Sequence, residues 1–392
     1  MSIRLHVPTN ETVELAKRLI SIPSANPPGN EDTIAGFVSS WLEDAGMTCQ
    51  QVPLEPGRSS IVVRVPGSAH GSVVFCAHLD TVPAEESLWN RPPSEPVVEG
   101  NRLWGLGATD MKSAVAVLMQ SFAALAASGS KPEVDCILML TADEEWGYRG
   151  AASVANAGLI DDARLLVIAE PTENNVYTGQ KGELWIEATF AGREAHGSVP
   201  ESGANAVLAG ARFCDRVQQA VAQWPEIPGR GRTSLNIGQF HGGRRVNIVP
   251  AEAKIELDLR VAFADHRARA MALVSTLGQE EASTVGGSFT AREMTYHPPI
   301  ASDIDHPWAR ALIAAAQTVT ERTQPLGLSP YSTDAVAVVP VLDIPTLICG
   351  PGSILQAHQP NEFIALDQIE QSLRIFGKLL GKAVSVTKGV AT

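Results

Sequence analysis

The stretch SVVFCAHLD (72–80) sets a short apolar run directly against a histidine, with an aspartate two residues further on. The same arrangement recurs along the chain. CILMLTA (136–142) runs into Asp143, Glu144 and Glu145, and LLVIA (165–169) runs into Glu170. TLICGPG (346–352) leads to His358, and a Gly-rich turn after Leu103 leads to Asp110. Apolar runs of this length, bounded by Gly, Pro or charge, read as buried strands of an α/β sheet. In open α/β sheets ligands bind outside the carboxyl ends of the strands. The spacing therefore predicts two imidazoles and several carboxylates gathered at one sheet edge.

Such a group would repel itself and resist desolvation without a cation. Asp110, Glu145 and Glu170 carry three negative charges, and a bridging hydroxide would add a fourth. Two divalent metal ions balance that set. The residues point to a dinuclear metallohydrolase.

The chain of 392 residues exceeds one comfortable core, so two domains are expected. Its 44% hydrophobic and 19% charged content is that of a soluble globular protein rather than a disordered one. A net charge of −13 argues against nucleic acid as a partner, since phosphate needs a basic stripe. No apolar run approaches the roughly 18 residues of a membrane span, so no membrane partner is expected. The N-terminal MSIRLHVPTNETVELAKRLI lacks an apolar signal core and a cleavage site. The five cysteines are odd in number and scattered, and Cys76, Cys136 and Cys349 lie inside apolar runs. That pattern suits reduced, buried thiols and a cytoplasmic location.

Residues 11–20 and 33–45 have helical apolar spacing, with Gly46 as a stop signal. SSIVVRV (59–65) and SVVFCA (72–77) read as neighbouring strands joined by a Pro-Gly turn. MKSAVAVLMQSFAALAA (111–127) is apolar nearly all round, as in a helix packed against a sheet. After Lys181-Gly182 the texture changes: ELWIEATFAG (183–192) alternates apolar and polar residues, the sign of a strand with one solvated face. A helix at 205–223, strands at 234–240 and 253–260, a helix at 266–282 and a strand at 287–296 follow. That order is β-α-β-β-α-β, the ferredoxin-like split unit. YHPPI (296–300) returns the chain to α/β texture, with a helix at 307–321, a strand at 345–349 and a helix at 366–382. The expected architecture is α/β: a mixed sheet flanked by helices, formed by residues 1–180 and 297–392, with an inserted ferredoxin-like α+β domain at 181–296.

Strand alternation places His78 and Asp80 on one face, where Asp80 would accept the second ring N–H of His78. Taken alone, the pair reads as well as a structural buried His–Asp contact. Consecutive Glu144 and Glu145 point in different directions, so one can bind metal while the other stays free as a base. An isolated Asp-Glu-Glu also reads as an acidic loop. GLGATD (105–110) looks like a dinucleotide fingerprint whose last Gly is Asp, and that carboxylate would repel a pyrophosphate.

AHLDTVP (77–83), GLGATDMK (105–112), TADEEWG (141–147), AEPT (169–172) and AHQPNE (357–362) resemble, in order, the motifs of a known family. It comprises acetylornithine deacetylase, succinyl-diaminopimelate desuccinylase, aminoacylase and glutamate carboxypeptidase, all dinuclear zinc enzymes. The resemblance implies that His78 and Glu170 are the terminal ligands of one zinc and Glu145 and His358 those of the other, with Asp110 bridging. It makes Glu144 the general base, Asp80 the carboxylate that orients a ligand, and Asp110–Met111 a cis peptide. Ser113 and Leu106 depart from the family's common Gly and Arg, which bears on packing rather than on ligands.

GREAHGSVPESGANA (192–206) resembles the family segment whose His reaches the partner subunit's active site, so His196 is expected to stabilise the oxyanion. GGRRVNIVP (242–250) and DLR (258–260) resemble segments that bring Asn247 and Arg260 to the substrate, Arg260 as a fork for a carboxylate. Lys181, the Ser332-Thr333-Asp334 run and the Gly350–Ser353 loop with Gly352 are further pocket candidates. The expectation is a homodimer, paired through the inserted domain, that uses two divalent ions, zinc first and cobalt or manganese as alternatives. It would remove the acyl group from an N-acyl amino acid through a metal-bridging hydroxide. Hydrolysis of di- or tripeptides, or carboxypeptidase action on a glutamate-type substrate, at the same site is the nearest rival. A non-catalytic interaction protein of the same fold is a remote one.

Overall fold

A computed structural model describes residues 9–384. The chain divides into two compact units. One runs to Gly179 and takes in Ala301–Leu326 and the chain from Thr333 onward; the other takes Gln180–Ile300 and Gly327–Ser332. Among the described residues no helix is long and apolar enough to cross a membrane.

The first unit is built on a six-stranded mixed sheet in the order Cys49–Glu55, Arg58–Val65, Asp135–Thr141, Ser72–His78, Ala163–Ile168, Thr346–Ile348. The last four strands are parallel to one another, and the first two add antiparallel. Arg58–Val65 and Ser72–His78 are therefore not neighbours as the sequence suggests; Asp135–Thr141 lies between them. Every residue of Ser72–His78 is buried and all but the first of Asp135–Thr141, so both belong where two flanking strands satisfy their backbone groups. Asp135 pins the arrangement by accepting from the Gly67 N–H at 2.7 Å and from Arg64 at 2.6 Å.

Side chains alternate across this sheet. Val73, Phe75 and Ala77 enter the larger core, where Phe75 meets the ring edges of Phe122 and Phe376 at 5.5 and 6.0 Å. Helices Thr9–Ile20, Lys112–Ala127, Pro307–Thr320 and Leu366–Val384 supply the other side of that core. A small sheet of Phe363–Ala365, Arg102–Trp104 and Val97–Glu99 escapes sequence reading, because three-residue strands carry too little periodicity. It matters for the site: pairing Phe363 with Trp104 brings residue 362 against the turn that ends at Asp110.

The second unit has a four-stranded antiparallel sheet in the order Ser234–Gly242, Glu252–Val261, Gly182–Ala191, Ser288–His297. Helices Ala206–Ala222 and Asp265–Thr284 pack on it, completing β-α-β-β-α-β. Leu184, Ile186, Ala188 and Phe190 alternate into the core, as the sequence pattern requires. Asn205 caps the first helix through its side-chain oxygen and the Leu208 N–H, 3.0 Å apart.

Candidate metal centre

The parallel strands of the first unit all end on the same side. His78 closes its strand, Asp143–Glu145 follow Thr141, and Glu170 follows Ile168 by two residues. Asp143 has a φ of 64°, a left-handed turn that redirects the chain just before the two glutamates. His358 is likewise at a φ of 59°, and Asp110–Met111 is a cis peptide.

Asp110 is the centre of the group. Its Oδ1 lies 3.0 Å from His78 Nε2, and its Oδ2 lies 3.6 Å from His358 Nε2. His358 Nε2 in turn lies 3.0 Å from Glu145 Oε2. Two donor triads result, His78–Asp110–Glu170 and Asp110–Glu145–His358, each with its ligand atoms within 4.8 Å of one another. They share Asp110, whose Oδ1 lies nearest His78 and whose Oδ2 lies nearest His358.

The electrostatics are those of a crowded anionic site. Burial, then the charge of Glu170, pushes the Glu144 carboxyl well above its ordinary range; burial and then Asp110 do the same to Glu170. Burial would lower the His78 imidazole, but the Asp110 hydrogen bond and nearby carboxylates hold it well above its usual value. The hydrogen bond to Glu145 lifts His358 to about 9. Glu145 Oε1 and Glu170 Oε1, one from each triad, are buried without a hydrogen-bond partner. Buried oxygens are rarely left so, and here the neighbouring donors are nitrogen and oxygen only. The set fits two small divalent cations of the zinc, cobalt or manganese type.

Asp80 stands differently from expectation. His78 Nδ1 donates to the main-chain carbonyl of Asp80 at 2.9 Å, while the nearest carboxylate oxygen is 3.7 Å away. The strand ends at His78, so its alternation does not carry to residue 80. The Asp80 carboxylate instead accepts the backbone N–H of Glu144 on Oδ1 and of Glu145 on Oδ2, both at 3.1 Å, and the Asn26 amide at 2.9 Å. It holds the two glutamates rather than the imidazole. Because a carbonyl can only accept, Nδ1 carries the proton and Nε2 is left to face the triad.

Residues 74–382 match the model of the peptidase family M20/M25/M40. The chain belongs to that family. It is accordingly a hydrolase of amide bonds. An acetylornithine deacetylase of Vibrio atlanticus is 31% identical, over 94% of this chain and 98% of the relative. A tripeptidase structure from Staphylococcus aureus has a TM-score of 0.80 at 19% identity, covering 96% of this chain and 99% of its own. A dinuclear metal binding peptidase of the M20 family from Bacillus subtilis has a TM-score of 0.71 at 15% identity, covering 96% and 98%.

The remaining candidates of this M20 chain are spread over both units. In the second, His196 and Asn247 are exposed and adjacent: His196 bridges to Ile248, and the Gly197 N–H donates to the Asn247 carbonyl at 2.8 Å. His196 Nδ1 lies 2.7 Å from Ser198 Oγ. Arg260 does not present an open fork, because its guanidinium is paired with Glu183 at 2.7 Å and Asp258 at 3.0 Å. Strand pairing causes this, since Glu183 is the residue opposite Arg260. Lys181 donates to the Arg232 carbonyl at 2.6 Å. Ser332, the last residue of the second unit, is buried, while Thr333 belongs to the first and accepts the Ala335 N–H on Oγ1 at 3.2 Å.

In the first unit, Gly352 has a φ of 95°, and a Cβ there would stand 3.1 Å from Thr109, beside Asp110. That close approach explains the glycine. Asp334 lies behind the strand ends, where its Oδ2 accepts from Thr141 at 2.5 Å and burial pushes it up to about 6.

Sequence reasoning missed Asn26, which joins Asp80 to Asp143 at 2.9 and 3.0 Å, and the buried pair of Glu31 with Arg58. Asn26 precedes two prolines, a loop signal without chemical content. Glu362 ends the stretch AHQPNE, where the sequence alone gives it no role.

Proposed function

We propose that this M20 chain is a dinuclear-metal deacylase of N-acyl amino acids. The observation that carries the proposal is the sharing of Asp110 between two donor triads, with Oδ1 nearest His78 and Oδ2 nearest His358. His78 and Glu170 would hold one ion, Glu145 and His358 the other, and Asp110 both. Ions held there would polarise the scissile carbonyl and balance the charge that develops on it.

The protein's own residues then divide the work. Glu144 is buried beside the triads, with its carboxyl oxygen 3.9 Å from His78 Nε2, and is not a member of either. It takes the proton of the attacking water and passes it to the departing amine, which leaves as the C–N bond breaks. Asp80 fixes the direction of Glu144 and Glu145 through their backbone N–H groups. By the family resemblance, His196 and Asn247, neighbours on the second unit, would donate to the oxyanion.

The Vibrio relative's name favours acyl removal over peptide cleavage as the reaction of this site. The test is a series of N-acetyl, N-succinyl and N-formyl amino acids run against a panel of di- and tripeptides. Faster turnover of every peptide than of any acyl amino acid would replace this reading by that of a peptidase.

The second unit supports a homodimer. Its edge strand Ser234–Gly242 is solvent-exposed along most of its length, with Phe240 38% exposed, and open edges invite pairing with a second chain. In that dimer the partner subunit's His196 would complete each active site. The five cysteines are free, which agrees with a cytoplasmic location.

A further inference from the structure

The turn Gly105–Asp110 wraps its backbone around one carboxylate. Glu362 is 1% exposed, and its Oε2 accepts the Gly107 N–H at 2.9 Å. Its Oε1 accepts the Thr109 N–H at 2.6 Å and the Asp110 N–H at 3.0 Å. Its own carbonyl accepts the Gly105 N–H at 3.0 Å. The hydroxyl of Thr109 donates to the next carbonyl, that of Phe363, at 2.8 Å. The turn is thus held from residue 105 to residue 110 by a segment some 250 positions away in sequence.

A buried carboxylate next to the acidic centre is costly, and here it is offset by the three buried backbone N–H groups it accepts. Strand pairing between Phe363–Ala365 and Arg102–Trp104 already docks the two segments. What Glu362 adds is a defined direction for the last peptide of the turn, the one that carries Asp110. Lys112, the buried first residue of the helix after the turn, donates through Nζ to the Ile22 carbonyl at 2.7 Å.

We propose that Glu362 is a positioning residue that sets the orientation of Asp110, so that one carboxylate oxygen faces each triad. It touches neither triad's free oxygens and acts only through the backbone of the turn. The inference rests on the reading of Asp110 as the shared ligand.

The amide of Glu362→Gln is the same size, but it cannot replace two accepting oxygens. Whichever way it turns, its NH2 meets a backbone N–H head on. Glu362→Asp keeps both acceptors but withdraws them by one methylene, and serves where the Gln variant fails to fold. Purified wild type, both variants and Asp110→Asn are stripped with chelator and titrated with Co2+. Visible absorption and competition against a chelating dye are read, with melting temperature followed in parallel.

The expected result is a 10–100-fold weaker Co2+ affinity in the Glu362 variants, with an altered absorption band, beside whatever fall in melting temperature the lost N–H acceptors cause in the stripped protein. In assays kcat falls while KM for substrate holds. Wild-type affinity and spectrum in a folded Glu362 variant overturn the positioning role and leave the centre standing. A melting loss in the stripped protein with unchanged Co2+ affinity overturns it too, as the mark of a merely structural contact. Undiminished binding of two ions by Asp110→Asn overturns the reading of the centre, and the positioning role with it.

Discussion

The backbone N–H of Glu144 donates to Oδ1 of Asp80 at 3.1 Å. The other oxygen of Asp80 accepts from Glu145 and Asn26, so the carboxylate is fully used in holding the strand end that follows Thr141. Asp80→Asn would set an amide NH2 against a backbone N–H on one side or the other. We expect a loss of 10–100-fold in metal affinity or activity, although the ring bond from His78 to the residue 80 carbonyl persists. Steady-state kinetics beside a metal titration checks this; an unchanged enzyme would show that the carboxylate is dispensable.

Glu144→Gln separates the base from the ligands. Turnover should fall by about 10²–10⁴-fold while two ions remain bound, because Glu145 rather than Glu144 belongs to a triad. Metal analysis of the purified variant decides between this and the reverse assignment, in which the metal would be lost.

Removal of metal should be visible in stability as well as in activity. Glu144, Glu145, Glu170 and Asp110 repel one another across the site, and cations that bind only the folded chain stabilise it by mass action. Chelated protein should be inactive and melt lower, and Zn2+, Co2+ or Mn2+ should restore both. A melting temperature that ignores all three ions would contradict the centre.

Subunit exchange tests the dimer. A His196→Ala chain and a Glu144→Gln chain should each be poor enzymes, the first by about 10²–10³-fold for loss of an oxyanion donor. In the mixed dimer, the site with an intact Glu144 receives the partner subunit's intact His196 and regains activity. A verified mixed dimer that stays inactive would assign His196 to its own chain or to no catalytic part.

Arg58 supports the site from below. Its guanidinium meets Glu31 at 2.5 and 2.7 Å and Asp143 at 2.8 Å, and Arg58, Glu31 and Asp143 are all buried. Arg58→Met leaves two carboxylates without their cation, a change that costs about 3–5 kcal/mol in buried pairs. Urea denaturation measures it. A loss below ~1 kcal/mol would mean that Arg149, which also bonds Asp143, takes over.

That His78, Glu145 and Glu170 gather at one sheet edge was legible in the sequence for a local reason, while Asp110 and His358 were tied to them only by motif. An apolar run that stops at a charge declares a buried strand and its end, and parallel strands bring their ends to one edge. The inserted unit was legible for the same reason, since alternation and helical spacing are properties of a dozen neighbouring residues. The tertiary structure alone decided that Asp135–Thr141 lies between two strands adjacent in sequence, that Asp80 serves Glu144 and Glu145, that Arg260 is already paired, and that Glu362 grips the turn of Asp110. Each of these is a hydrogen bond or ion pair whose partner is chosen by direction in space. A carboxylate's chemistry is written in its residue type, but which N–H or guanidinium it meets is set only when segments distant in sequence pack together.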